Sequence, residues 1–267
     1  MASRSATTSS ESSLTVAWAG LRGEGRTALI PYITSGFPDR ARSLALLQAA
    51  DEIADILEVG VPFSDPLADG PTIQRSIHQA LRGGMTLAGT LELINQASLQ
   101  RPVVVFSYLN PILRYGVEKF LRDAAAVGAV GLLLTDLPTG ADPAIEAMVQ
   151  DSHLDLIRLV APTTSTARLE ETARDARGFL YLIARLGVTG ASGQLDPGLA
   201  ASIARVRAAT ALSVAVGFGI SRPEQAATVA GLADGVVVGS ALVECLATHG
   251  VDGATALLRS LRSALSP

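Results

Sequence analysis

Eight times along the chain, a short run of almost unbroken apolar residues is followed by an Ala- and Leu-rich stretch with helical spacing. The runs lie near Ala28–Thr34, Asp55–Gly60, Val103–Tyr108, Gly131–Asp136, Asp155–Val160, Phe179–Ile183, Ser213–Gly217 and Gly235–Val238. Segments such as 43–50 and 199–206 carry the helical pattern between them. A strand that is apolar at consecutive positions is covered on both faces, and a helix between successive strands is what a parallel sheet requires. Eight such units in 267 residues close naturally into a barrel. The rival is an open doubly wound sheet, whose dinucleotide-binding form carries Gly-x-Gly-x-x-Gly after the first strand. The segment Thr34-Ser-Gly-Phe-Pro-Asp39 has no such pattern. The expected class is therefore α/β, a single (β/α)8 barrel of the TIM type.

Residues 1–13 are rich in Ser and Thr and lack the apolar core of a secretory signal, so they read as a disordered N-terminal tail. Residues 14–267 read as one catalytic barrel domain with an extra N-terminal segment. A net charge of −4 argues against nucleic acid or an anionic membrane as partner, and no apolar run is long enough to span a bilayer. Cytoplasmic localisation is expected. One cysteine, Cys245, excludes an internal disulfide and a cysteine-rich metal cluster.

The second apolar run contains an anomaly, because Glu58 sits between Ile56, Leu57, Val59 and Val61. A carboxylate in a dry strand is costly, so it is either paired or kept for proton transfer with a raised pKa. No basic residue lies between Glu58 and Arg75 to offset the cost. The loop that follows carries two further carboxylates, Asp65 and Asp69.

In a barrel of this kind the chemistry lies at strand C-termini and in the loops beyond them. Tyr32, Thr34, Glu58, Tyr108, Asn110, Asp136, Thr163 and Tyr181 all fall there or on the adjoining strand. Each has a plainer reading: Asp136 could simply cap the next helix, and Tyr32 could be a core aromatic. Glycine-bearing loops at 186–193, 217–221 and 238–241 offer exposed backbone N–H groups, and barrels commonly hold phosphate after strands 7 and 8 with a short extra helix. A phosphorylated substrate is expected. The only lysine, Lys119, lies in a helical stretch and cannot serve as a strand-end Schiff base. His78, His153 and His249 have no metal-ligand spacing, so no metal is expected. What remains is acid–base work by carboxylates on a substrate that supplies its own electron sink.

The stretch Leu57-Glu-Val-Gly-Val-Pro-Phe-Ser-Asp-Pro-Leu-Ala-Asp-Gly-Pro-Thr-Ile-Gln74, followed in order by Arg185-Leu-Gly-Val-Thr-Gly190, Gly217-Phe-Gly-Ile-Ser221 and Gly239-Ser240, resembles the tryptophan synthase α-subunit family from about Arg26 onward. The resemblance implies a lyase that cleaves indole-3-glycerol phosphate by a retro-aldol step into indole and glyceraldehyde 3-phosphate. It implies a catalytic set of Glu58 as proton shuttle, Asp69 as acceptor of the indole N–H, and Tyr181 beside Glu58. Tyr32, Tyr108, Leu133 and Phe218 would line the substrate pocket, and Gly190, Gly219, Gly239 and Ser240 would hold the phosphate. Thr189 would bond Asp69 when the loops Pro62–Pro71 and Arg185–Gly193 close. Pro62, Asp65, Pro66 and Asn110 match positions facing a β subunit in an α2β2 tetramer. That partner carries pyridoxal phosphate; this chain is expected to bind no cofactor.

Leu186 and Thr135 depart from the common family pattern without touching a proposed catalytic group. A partner that only activates a β subunit would have no use for a carboxylate in a dry strand. A stand-alone lyase releasing indole would carry the same active site, and the sequence leaves it open beside the α-subunit reading. An indole-glycerol-phosphate synthase would need a strand-end lysine, and a histidine-pathway cyclase lacks the strand-2 loop signature.

Overall fold

The computed structural model describes residues 12–183, 197–217 and 219–265. Eight parallel strands close in sequence order: β1 (Ala28–Thr34), β2 (Leu57–Gly60), β3 (Val103–Ser107), β4 (Ala129–Leu134), β5 (Asp155–Val160), β6 (Phe179–Ile183), β7 (Ser213–Gly217) and β8 (Gly235–Val238). The ring is completed by β8 pairing with β1, Leu29 opposite Val236. Nearly every strand residue is buried, because side chains alternate between the barrel interior and the layer under the helices. That two-sided burial is why the strands are written as continuous apolar runs.

The outer layer follows in chain order: α2 (Arg40–Asp51), α3 (Pro71–Arg82), α4 (Leu87–Ala97), α5 (Leu109–Tyr115), α6 (Val117–Ala126), α7 (Pro143–Gln150), α8 (Thr166–Asp175), α9 (Leu199–Ala209), α10 (Pro223–Ala230) and α11 (Ser240–Ala264). The run from Ser240 is broken at Gly250 (φ 68°), so a helix beginning directly after β8 precedes the one that completes the outer ring. No helix among the described residues is long and apolar enough to cross a membrane.

A first helix, α1 (Ser13–Gly23), covers the N-terminal end of the barrel. Ser12 caps it by accepting from Thr15 N–H and donates to Asp155 Oδ2 at 2.5 Å. Its buried face, Leu14, Trp18 and Leu21, plugs the barrel floor. Trp18 meets the edge of Phe179 at 5.5 Å between centroids. A Cβ on Gly235 would lie 2.8 Å from the Trp18 ring, so a glycine in β8 is what lets the indole in.

Strand ends differ slightly from the sequence expectation, for identifiable reasons. Asp55 precedes β2 instead of opening it: its carboxylate accepts from Leu29 N–H at 2.9 Å and pairs with Arg26 and Arg262. Tyr108 leaves β3 to become the N-cap of α5. Thr135 and Asp136 lie beyond the end of β4.

Candidate active site

The sequence-derived residues converge at the C-terminal mouth of the barrel. Glu58 sits in the middle of β2, opposite Tyr32 on β1 and Val104 on β3. It is completely buried, and neither carboxylate oxygen has a hydrogen-bond partner among the described residues. Loss of solvation alone pushes its pKa up to about 8. At neutral pH this side chain therefore holds a proton.

Tyr32 and Tyr181 flank this level of the barrel with buried hydroxyls. The Tyr32 hydroxyl lies against Gly60, where a Cβ would sit 2.1 Å from it, and the Tyr181 hydroxyl lies against Gly217, where a Cβ would sit 1.9 Å away. Side chains at the ends of β2 and β7 are thus excluded by the two tyrosines. Tyr32 is held from its other face by Phe106, edge to face at 5.1 Å. Burial keeps both phenols well above their usual pKa, and the nearby carboxylates add to the effect. These phenols are hydrogen-bond donors, not bases.

Asp69 lies in the loop after β2 and is also buried. Pro62, Pro66 and two turn bonds, Leu67 N–H to Asp65 C=O and Asp69 N–H to Pro66 C=O, shape this loop, and Pro71 ends it by opening α3. Gln74 staples it to α3 by donating to the carbonyls of Pro66 and Asp69. The Tyr108 hydroxyl donates to Asp69 Oδ2 at 2.7 Å and accepts from Ala68 N–H at 2.9 Å. Burial raises the Asp69 carboxyl to about 6, with the Tyr108 bond opposing the rise. Asp69 is therefore ionised at neutral pH while Glu58 is not. Two acidic groups whose environments separate their protonation states are the usual basis for an acid–base division of labour.

Leu133 is fully buried on β4. Gly239 and Ser240 form the N-terminus of α11, which has no side-chain cap and no acidic residue in its first turn, leaving its first N–H groups available to an anion. Gly219 has φ 87°, a left-handed conformation natural only to glycine. Just beyond it Gln225 gathers the N–H groups of Ser221 and Arg222 on its Oε1 at 2.9 and 3.1 Å. Thr189, Gly190 and Phe218, with the Arg185–Gly193 loop, lie outside the described residues.

Asp65 and Asn110 are exposed at the mouth, whereas Pro62 and Pro66 are buried within the chain. Two large apolar side chains protrude nearby in sequence, Leu67 at 89% exposure and Leu113 at 50%. Among the described residues no group of His, Cys, Asp and Glu is arranged to hold a metal ion. Lys119 lies on α6, paired with Asp123 and Tyr115.

Two site features escape sequence reasoning. The Tyr108–Asp69 bond joins residues 39 apart, and only the strand-end position of Tyr108 hinted at it. Asp136 does cap a helix, but not the next one: its Oδ1 accepts from Leu109 N–H at 2.7 Å, at the start of α5.

Residues 18–264 match the family model described as tryptophan synthase alpha chain. The chain is 47% identical over 240 residues to the tryptophan synthase alpha chain of Acidiphilium cryptum, covering 88% of this chain and 87% of that one. It is 44% identical over 259 residues to that of Chloroflexus aggregans, covering 94% and 97%. Among solved structures, Mycobacterium tuberculosis tryptophan synthase superposes with a TM-score of 0.89 at 41% identity, over 96% of this chain and 99% of that chain. Tryptophan synthase subunit alpha of Legionella pneumophila gives 0.87 at 34% identity, over 96% and 99%.

Proposed function

The chain belongs to the tryptophan synthase α-chain family, the lyases that cleave indole-3-glycerol phosphate in tryptophan biosynthesis, and on that premise we propose how its residues divide the work. Glu58, protonated at neutral pH, gives its proton to indole C3 and converts the ring to an indoleninium cation. Asp69, ionised, accepts the indole N–H and stabilises that charge. The Glu58 carboxylate then removes the proton from the hydroxyl on the carbon bonded to C3. The bond from that carbon to C3 breaks, its electron pair returns to the ring, and the aldehyde of glyceraldehyde 3-phosphate forms. Glu58 ends protonated, as it began.

The observation that carries this reading is a fully buried carboxyl with neither oxygen bonded among the described residues. A structural carboxylate would have partners, whereas a proton shuttle needs free oxygens and a pKa near working pH. Tyr181 is assigned to the catalytic set beside Glu58, with Tyr32, Tyr108, Leu133 and Phe218 lining the substrate pocket. Gly190, Gly219, Gly239 and Ser240 are assigned to the phosphate, and Thr189 to contact with Asp69 on loop closure.

The partner reading is an α2β2 complex in which Pro62, Asp65, Pro66 and Asn110 mark the region that meets a β subunit, with Asp65 and Asn110 exposed to it and the two buried prolines shaping the loop that carries Asp65. Exposed Leu67 and Leu113, near these positions in sequence, support an apolar contact there. Pyridoxal phosphate would belong to that β subunit, the complex to the cytoplasm, and residues 14–267 to one catalytic unit.

Indole release from indole-3-glycerol phosphate, with and without a β subunit, tests the whole reading. Slow cleavage alone with strong stimulation by β supports it, while fast cleavage unaffected by β replaces it with a stand-alone lyase. Glu58→Gln is expected to lower kcat at least about 100-fold with the fold intact; retention of a tenth of the wild-type rate would refute the shuttle.

A further inference from the structure

We propose that Asp136 is a positioning residue for the reaction: by capping α5 it fixes Tyr108, and through Tyr108 the carboxylate of Asp69. The inference rests on the assignment of Asp69 made above.

The start of α5 presents an unusual problem. Its N-cap is Tyr108, whose long side chain offers no capping acceptor and carries its hydroxyl to Asp69 and Ala68 N–H. A first-turn N–H left without a partner would loosen the residue that carries this phenol. The neighbouring strand supplies the missing cap. β4 runs in register with β3, Leu134 opposite Ser107, and the ladder continues with Thr135 N–H to Ser107 C=O at 3.1 Å. One residue further along, the Asp136 carboxylate accepts from Leu109 N–H at 2.7 Å.

Asp136 is not needed as the cap of α7. That helix has its own, Asp142, which accepts from Ile145 N–H at 3.1 Å. The loop between is pinned elsewhere. The buried Arg158 donates to Leu137 C=O at 2.9 Å while paired with Glu146, and Arg168 donates to Thr139 C=O. The residue after Asp136 is thus tethered to the barrel wall, which gives the capping carboxylate a fixed base. The result is a continuous path from Arg158 through Leu137, Asp136, Leu109 and Tyr108 to Asp69.

The Tyr108 hydrogen bond favours the ionised form of Asp69. If Asp136 positions that bond, deleting its carboxylate changes the protonation of Asp69, a consequence that mere loss of stability would not have. The test is kcat/KM for indole-3-glycerol-phosphate cleavage between pH 5 and 9, with circular dichroism on each variant. Asp136→Ala is expected to move the acid limb upward by roughly half a pH unit or more and to leave the alkaline limb in place. Asp136→Asn, whose amide oxygen can still accept from Leu109 N–H, is expected to keep the wild-type acid limb. Tyr108→Phe is expected to shift it at least as far as Asp136→Ala. Should Asp136→Ala not fold, Leu109→Pro deletes the same bond from the donor side at a helix position that tolerates proline, with the same shift expected.

A shift in Tyr108→Phe with none in Asp136→Ala overturns the inference and leaves the role of Asp69 standing. No shift in either variant removes Asp69 from control of the acid limb and takes the inference with it. Equal behaviour of Asp136→Ala and Asp136→Asn also overturns it, because the capping acceptor would then be irrelevant.

Discussion

Replacing Glu58 by glutamine should change how the stability of the chain responds to pH, by an amount set by where that carboxyl sits. In the unfolded chain the group titrates near 4.5, and in the barrel near 8. Between those values the native state keeps a proton that the unfolded state has released, so stability falls as pH rises. The contribution is fully present below pH 4.5 and fully lost above about 8. At about 1.4 kcal/mol per pH unit, the window amounts to at most roughly 5 kcal/mol, a large share of a typical folding free energy. The amide of the Glu58→Gln variant does not titrate, and the carboxyl of Asp69 is common to both proteins. The difference in unfolding free energy, variant minus wild type, is therefore expected to grow with pH from about 5 to 8 and then level off. Urea unfolding at unit steps across that range and one step beyond it, with parallel circular dichroism, measures it directly. Curves that stay parallel throughout would show that Glu58 is not a desolvated neutral acid, and the proton-shuttle argument would lose its physical basis.

The same geometry fixes three other outcomes. The kcat/KM profile for indole release is expected to be bell-shaped, with an acid limb near 6 from Asp69 and an alkaline limb near 8 from Glu58; a flat profile across both limbs would contradict both assignments. Gly60→Ala places a Cβ 2.1 Å from the Tyr32 hydroxyl and is expected to cost about 1–3 kcal/mol, while Tyr32→Leu relieves the clash. Unfolding of both single variants and the double reveals this as strong coupling, and simple additivity would mean that the barrel mouth relaxes around the methyl group. Glu146→Ala removes the anion paired with the buried Arg158, leaves that guanidinium its bond to Leu137 C=O, and is expected to destabilise by about 3–5 kcal/mol in urea unfolding.

Much of the barrel is legible in the sequence because burial on both faces forces strands to be written as unbroken apolar runs. The strand ends are less legible, since they depend on where a side chain captures the backbone. Asp55 looks like part of an apolar run but spends its carboxylate on Leu29 N–H and two arginines. Glu58 is legible for the opposite reason: in an apolar strand with no base nearby, its cost is visible without coordinates. Gly60 and Gly217 look like turn residues, yet each is matched to a tyrosine hydroxyl contributed by another strand. Chain order also misleads for Asp136, which precedes α7 but caps α5, because parallel pairing brings the start of α5 closer than sequence distance suggests.

The two carboxyls that define the site differ in the kind of support they receive, and that difference fits their separate tasks. Glu58 is held by a strand in the closed sheet, with no hydrogen bond to its oxygens among the described residues, so its surroundings oppose charge. Asp69 sits on a proline-bounded loop and receives an oriented phenol, so its surroundings admit charge despite burial. Exchanging the supports would defeat both tasks. A phenol bonded to Glu58 would favour its ionised form and remove the proton needed at C3, and an unbonded Asp69 would drift toward neutrality and fail to stabilise a cation. The loop also explains why Asp69 depends on residues outside its own segment. A strand fixes its side chains through the ladder, whereas a loop carboxylate must be aimed from elsewhere, here by Tyr108 from the neighbouring β3–α5 junction. Changes at that junction should therefore reach catalysis through Asp69 and leave the protonation of Glu58 unaltered.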